Sequence, residues 1–144
     1  MSLRFTEKYP EVAASLSIEV KRTLYSGKSP FQKIEVFDTE KFGLMLVIDG
    51  CIMLTQRDEF IYHEMIAHVP LCVHPSPKRV LVIGGGDGGT VREIFKHPGI
   101  ERVVMVEIDA MVVQASLSYV LARVYLYKFG RGIAEKKKKY FEML

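Results

Sequence analysis

The residues of this chain best suited to chemistry lie in and just beyond one glycine-rich stretch. Residues 80–95, VLVIGGGDGGTVREIF, pass from four apolar, β-leaning residues through a six-residue run in which only Asp87 interrupts glycine, and then into an amphipathic segment. Gly84, Gly86 and Gly89 satisfy the spacing G-x-G-x-x-G, with Gly85 and Gly88 between them. The context is that of a strand, a tight turn and a helix, which is where the spacing carries meaning. Glu107 stands eighteen positions beyond Gly89, at the end of the next expected strand. An acid at that place accepts hydrogen bonds from the two ribose hydroxyls of an adenosine.

Asp87 decides between kinds of adenosine ligand. A turn opening a helix normally holds phosphate, because its N–H groups are unpaired and carry partial positive charge. A carboxylate within about 4–6 Å would repel a pyrophosphate and attract an ammonium or sulfonium. The charge therefore favours S-adenosylmethionine or a relative over NAD. Glycines that merely make a tight turn are the plain structural alternative, although each costs backbone entropy and normally has a reason.

Other constellations are weaker. HEMIAH resembles the zinc motif H-E-x-x-H, but His63 and His68 are five apart and fall on separated helical faces, so no metal site is expected. His74 and His97 stand beside prolines and read as loop residues. No Ser/His/Asp or Cys/His arrangement is visible.

The elements that must position these residues follow from periodicity. SIEVKRTL alternates Ile18, Val20, Arg22 and Leu24 against its neighbours, FQKIEVFD repeats the pattern through Ile34 and Val36, and Asp49-Gly50 joins two apolar runs. These features predict a small antiparallel β-module over about residues 15–56, with a type I′ hairpin at Asp49-Gly50. RDEFIYHEMIAHVPLCVHP changes to helical spacing, with Ile61, Met65, His68 and Leu71 on the stripe expected to face the core and Asp58 and Glu59 in the first turn. Strands are expected at residues 80–83 and 103–106, with a short helix at 90–96 between them. That is a right-handed βαβ unit. Residues 110–129 read as a further helix. The resulting division is 1–56 for a β-domain, 57–79 for a helix and linker, and 80–144 for a partial nucleoside-binding domain.

The totals bound the possibilities. A chain of 144 residues, 49% hydrophobic and 26% charged, is an ordinary globular composition. It is too short for a complete large α/β enzyme. The net charge is +3, and four of the twenty basic residues lie in the run 136–139. No nucleic-acid partner is expected from that balance, and the lysine run reads as solvated tail. Cys51 and Cys72 lie in apolar surroundings without metal-ligand spacing and read as small, reduced core residues. The N-terminus lacks an apolar signal segment, and the most apolar later run, 110–122, is shorter than the roughly 20 residues a bilayer requires. The expectation is a cytoplasmic protein without a membrane partner.

SPFQKIEVF, LVIDG, RDEFIYHEMIAHVPL, HPSPKRVLVIGGGDGGTVREIFKHP and VEID, in this order, closely resemble the spermidine synthases, a family of aminopropyltransferases. The resemblance covers about residues 15–118. It implies an α/β protein with a Rossmann-like, methyltransferase-type fold, here truncated, behind a small antiparallel β-domain. It also implies transfer of an aminopropyl group from decarboxylated S-adenosylmethionine to putrescine, giving spermidine and methylthioadenosine. The donor is a co-substrate, and no separate cofactor is expected. On the matching positions, the resemblance assigns Gln32 to the nucleoside donor or its thioether product and Tyr62 to the amine site. It puts His63 beside donor and amine, Asp87 on the donor's aminopropyl ammonium and Glu107 on the ribose. The family's later Asp-Gly pair and Asp-Ser-x-Asp-Pro segment, which meet adenine and supply the base, have no counterpart in this sequence. No catalytic residue is therefore assigned, and about two of the sheet's six or seven strands are expected. A chain incomplete and inactive alone follows, with a homo-oligomer, dimer or tetramer, as the expected assembly because an uncovered strand edge invites a partner. Two alternatives stay open: a catalytically silent nucleoside-binding or assembly module, and an S-adenosylmethionine-dependent amine N-methyltransferase.

Overall fold

The computed structural model describes residues 3–121 and 141–143. The chain forms two compact units, Met1–Asp58 and Glu59–Leu144.

The first unit is a five-stranded antiparallel meander, β1 (Leu3–Tyr9), β2 (Ala14–Lys28), β3 (Lys33–Thr39), β4 (Leu44–Ile48) and β5 (Cys51–Thr55), in sequential order. The alternation of Ile18 and Val20 seats both residues in a core with Phe37, Met45 and Val47, as a half-buried strand should. Two register shifts, at Val20/Arg22 and Thr23/Tyr25, interrupt the simple period of two that Arg22 and Leu24 suggest. The Asp49-Gly50 hairpin has positive φ at both positions, 49° and 83°, as a type I′ turn demands. The Asp49 carboxylate also accepts a hydrogen bond from the Lys33 N–H at 2.8 Å, which ties the hairpin to the start of β3. β1 has no counterpart in the sequence reading. Its sequence LRFTEKY carries few apolar residues, and its pairing with β2 (Phe5 opposite Ile18) is what makes it a strand.

The second unit runs α1 (Glu59–Val73), β6 (Arg79–Ile83), α2 (Gly89–Ile94), β7 (Arg102–Val106), α3 (Ala110–Ala115), a π-helical turn (Ser116–Leu121) and β8 (Phe141–Met143). Its three strands are parallel, in the order β6-β7-β8. Val82, Val103 and Met105 from the strands pack with Ala67 of α1, Val91 and Ile94 of α2 and Val113 of α3. This single core fixes both ends of the glycine turn, since β6 leads into it and α2 leads out.

Several expectations are corrected. The parallel strands number three among the described residues, not two. β8 is three residues long, too short to carry a pattern, and is specified by the open edge of β7 (Val103 opposite Phe141). The inward stripe of α1 is His63 and Ala67, with Leu71 against the core, whereas Ile61 and Met65 are exposed. The helix is apolar around most of its circumference, so spacing alone does not choose the face, and the polar partners of His63 do. Cys51 and Cys72 are exposed. Apolar neighbours in sequence put them beside the core and not in it, because adjacent residues point in different directions on both strands and helices. Of the expected helix at 110–129, the part beyond residue 121 lies outside the described residues. No helix among the described residues is long and apolar enough to cross a membrane.

Candidate functional site

The site is built at the carboxyl end of β6, where parallel sheets of this kind place ligands. Gly84, Gly85 and Gly88 adopt φ of 78°, 76° and 77°, the left-handed region in which a Cβ is unfavourable. Gly86 and Gly89 serve a different purpose. A Cβ on Gly86 would come against the Glu107 side chain and Val112, and one on Gly89 would enter the ring of His63. Two glycines of the fingerprint are therefore spaces for side chains of the protein itself.

Those side chains take up the turn's N–H groups. Gly89 N–H donates to Asp87 Oδ1 at 2.7 Å, and Gly86 N–H donates to Glu107 Oε2 at 3.0 Å. The other Glu107 oxygen accepts from Asp109 N–H at 3.0 Å. Each carboxylate oxygen has two lone pairs, so Glu107 retains acceptor capacity for hydroxyl groups. Asp109 in turn caps α3 by accepting from Met111 N–H at 2.9 Å, a usual N-cap arrangement. Two donors that a phosphate would require are thus occupied by carboxylates.

Asp87 is not an isolated charge. His63, 2% exposed, places Nε2 3.0 Å from Asp87 Oδ1 and Nδ1 2.6 Å from Glu59 Oε2. Arg92 holds the same Glu59 with both guanidinium arms, Nη1 to Oε1 and Nη2 to Oε2, each at 2.7 Å. Its Nε donates to Glu93 Oε1 at 2.7 Å. Glu93, 1% exposed, is also met by Lys96 and, at 3.2 Å, by His68 Nε2. These last two contacts lack regular hydrogen-bond geometry, and that with Lys96 is an ion pair.

The charges follow from the contacts. Burial disfavours the His63 cation, but hydrogen bonds to Asp87 and Glu59 outweigh it and raise its pKa to about 9. Burial likewise opposes ionisation of Glu59, and the bonds from His63 and Arg92 overcome it and lower its pKa to about 2. Asp87 is held below the usual carboxylate range despite its burial, chiefly by His63, and Glu93 similarly by Lys96 and Arg92. At neutral pH the imidazolium therefore lies between two carboxylates. The Asp87 side chain is 22% exposed, so it is the accessible end of this buried chain.

Of the residues singled out by sequence, His63, Asp87, Glu107 and the five glycines meet in this one constellation. Tyr62 is 63% exposed, its ring steeply inclined to that of His63 with the centroids 5.4 Å apart. Gln32 belongs to the first unit, in a turn where Ser29 Oγ accepts from the Phe31 and Gln32 N–H groups at 3.0 and 3.1 Å. Glu59, Arg92 and Glu93 were missed by sequence reasoning. Asp58 and Glu59 read as helix-dipole partners, and Arg92 and Glu93 drew no reading beyond the amphipathic segment that holds them. The available signal was the i, i+4 spacing of Glu59 and His63. Among the described residues no group of three or more metal-ligating side chains is assembled.

Fold and site together define a class: a Rossmann-like glycine turn in which two N–H groups are taken up by the protein's own carboxylates. The family model of the spermine/spermidine synthase domain matches residues 59–128, and that of the spermidine synthase tetramerisation domain matches residues 4–56. Both units of the chain thus match models of the spermidine synthase family. The polyamine aminopropyltransferase of Clostridioides difficile (strain 630) is 56% identical over 119 residues, which are 83% of this chain and 42% of that protein. That of Shouchella clausii (strain KSM-K16) is 50% identical over 119 residues, 83% of this chain and 43% of that protein. The crystal structure of spermidine synthase from Thermotoga maritima superposes with a TM-score of 0.84 at 38% identity, over 99% of this chain and 47% of that one. A spermidine synthase in complex with the transition-state analogue AdoDATO gives the same TM-score and identity, over 99% of this chain and 45% of that one. This chain thus spans less than half the length of these curated relatives.

Proposed function

We propose that the chain supplies the donor-binding part of an aminopropyltransferase that takes decarboxylated S-adenosylmethionine and putrescine to spermidine and methylthioadenosine. The observation that carries this reading is the pair of carboxylates, Asp87 and Glu107, bonded to the N–H groups of Gly89 and Gly86. A pyrophosphate would find those donors taken and negative charge beside it. An amino-acid carboxylate would meet the same repulsion, whereas a chain ending in an ammonium would be attracted.

In the reaction, a neutral amine nitrogen of putrescine attacks the carbon next to the donor's sulfonium. A C–N bond forms as the C–S bond breaks, and its electron pair leaves with sulfur as methylthioadenosine. The attacking nitrogen then carries a positive charge and loses a proton. In this reading Asp87 holds the donor's ammonium and Glu107 the ribose hydroxyls, while His63 lies behind Asp87. Tyr62 and Gln32 border the amine and nucleoside, and placing the reacting atoms in line supplies much of the acceleration. No residue of the chain is assigned as base. Residues 1–56 serve assembly, which the tetramerisation-domain match supports, residues 57–79 supply Tyr62 and His63, and residues 80–144 hold the donor. The oligomer is of like chains, and the setting is the cytoplasm.

Calorimetry on the 144-residue chain with decarboxylated S-adenosylmethionine, methylthioadenosine, S-adenosylmethionine and NAD tests the reading. The decarboxylated donor should bind more tightly than S-adenosylmethionine, and NAD should not bind measurably. Tightest binding of NAD, or equal binding of the two sulfonium compounds, would overturn it.

A further inference from the structure

Beneath Asp87 lies a run of buried charges: Arg92 grips Glu59 with two bonds of 2.7 Å, Glu59 meets His63 Nδ1 at 2.6 Å, and His63 Nε2 meets Asp87 at 3.0 Å. The contacts of Asp87 with His63 and with Gly89 N–H both fall on Oδ1, and its own backbone N–H also bonds the carboxylate. Two donors meeting Oδ1 from different elements limit the carboxylate's rotation and leave acceptor capacity on Oδ2. The two-armed grip of Arg92 also fixes the plane of Glu59, because a guanidinium fork and a carboxylate match only when coplanar.

We propose that Glu59 and Arg92 are positioning residues for the donor site: through His63 they keep Asp87 ionised and oriented, with Oδ2 presented to the ammonium of an incoming ligand. This rests on the donor-binding reading above and deepens it. The groups facing His63 are Glu59 and the Tyr62 ring from α1, Asp87 from the turn, and the Gly89 backbone from α2, with Arg92 acting through Glu59. The imidazole can bond both carboxylates only with a proton on each nitrogen. Loss of that proton, or of the Glu59 charge that retains it, releases one of the two contacts.

Two measurements on the full chain test the proposal. The first is an NMR titration of the His63 ring without ligand. It should titrate near pH 9 in the wild type, and at least one pH unit lower in Glu59→Gln, where the charge that favours the imidazolium is gone. The second is calorimetry with decarboxylated S-adenosylmethionine and methylthioadenosine across pH. Glu59→Gln should weaken the decarboxylated donor tenfold or more at pH 8 and move its alkaline loss of binding to lower pH, with methylthioadenosine changed less than threefold. Arg92→Gln should show the same selective loss at pH 8, and Arg92→Lys should recover part of it.

A wild-type His63 that titrates near 6.5 overturns the proposal without recourse to any variant, so a misfolded Glu59→Gln would not shelter it. It also fails if folded Glu59→Gln has an unmoved alkaline limb, or loses both ligands equally. If neither ligand binds the wild-type chain, the donor-binding reading fails, and the ligand-free titration alone decides whether Glu59 sets the charge of His63.

Discussion

His63 Nε2 lies 3.0 Å from Asp87 Oδ1, so the carboxylate in the middle of the glycine turn has a cationic partner from α1 before any ligand arrives. This pairing explains how the carboxylate stays ionised in a largely buried setting, since an unpaired buried ion would instead neutralise. It also makes the turn's electrostatics depend on a helix that precedes it in the sequence.

Replacing Asp87 with Asn removes the charge but keeps the shape. Binding of decarboxylated S-adenosylmethionine should fall by about ten- to a hundredfold, in line with roughly 1.5–3 kcal/mol for a hydrogen bond to a charged group. Methylthioadenosine, which lacks the ammonium, should change by less than about threefold. Equal losses measured by calorimetry would contradict the role given to Asp87.

The glycines should separate by cause. Gly84→Ala meets open space but keeps φ at 78°, so its cost should be about 1–2 kcal/mol, the penalty of the left-handed region. Gly89→Ala would drive a methyl group into the His63 ring, adding overpacking of about 1–3 kcal/mol and displacing the imidazole. Urea unfolding midpoints together with the His63 ring resonances measure both effects. An unshifted His63 signal in folded Gly89→Ala would rule out this packing.

Stability should depend on pH through His63 and Glu59. The folded pKa of His63, about 9, lies above its ordinary value of 6.5. Its contribution is therefore complete below about pH 6.5 and lost as pH rises through 9. The Glu59 pKa is depressed from 4.5 to about 2, so its contribution is present above about pH 4.5 and lost as pH falls through 2. Thermal melting of the second unit should peak between about pH 5 and 7 and decline on both sides. A melting temperature unchanged from pH 7 to 10 would contradict the alkaline arm.

Arg92 is 7% exposed and bonded to both Glu59 and Glu93. Arg92→Met leaves two buried carboxylates without that partner and should cost about 3–5 kcal/mol, readable as a fall in the urea midpoint. Removing the charge at all three positions at once, with Glu59→Gln and Glu93→Gln added, should recover part of the loss. A cost below about 1 kcal/mol for the single change would show that the network is more hydrated than its burial indicates.

The sequence by itself determined what is local. The φ requirements of Asp49-Gly50 and of the glycine turn, the alternation that buries Ile18 and Val20, the strand and helix on either side of Asp87, and the spacing to Glu107 all depend on a few adjacent residues. Sequence charge reasoning also recognised that Asp87 is foreign to a phosphate cradle. The tertiary structure decided which face of α1 is buried, that Cys51 and Cys72 lie at the surface, and that three residues at 141–143 extend the sheet along β7. It alone assembled Glu59, His63, Asp87 and Arg92. Apart from the i, i+4 pair Glu59–His63, these depend on segments far apart in the chain, and the energy of a buried charge is set by its partners in space, which no window of adjacent residues contains.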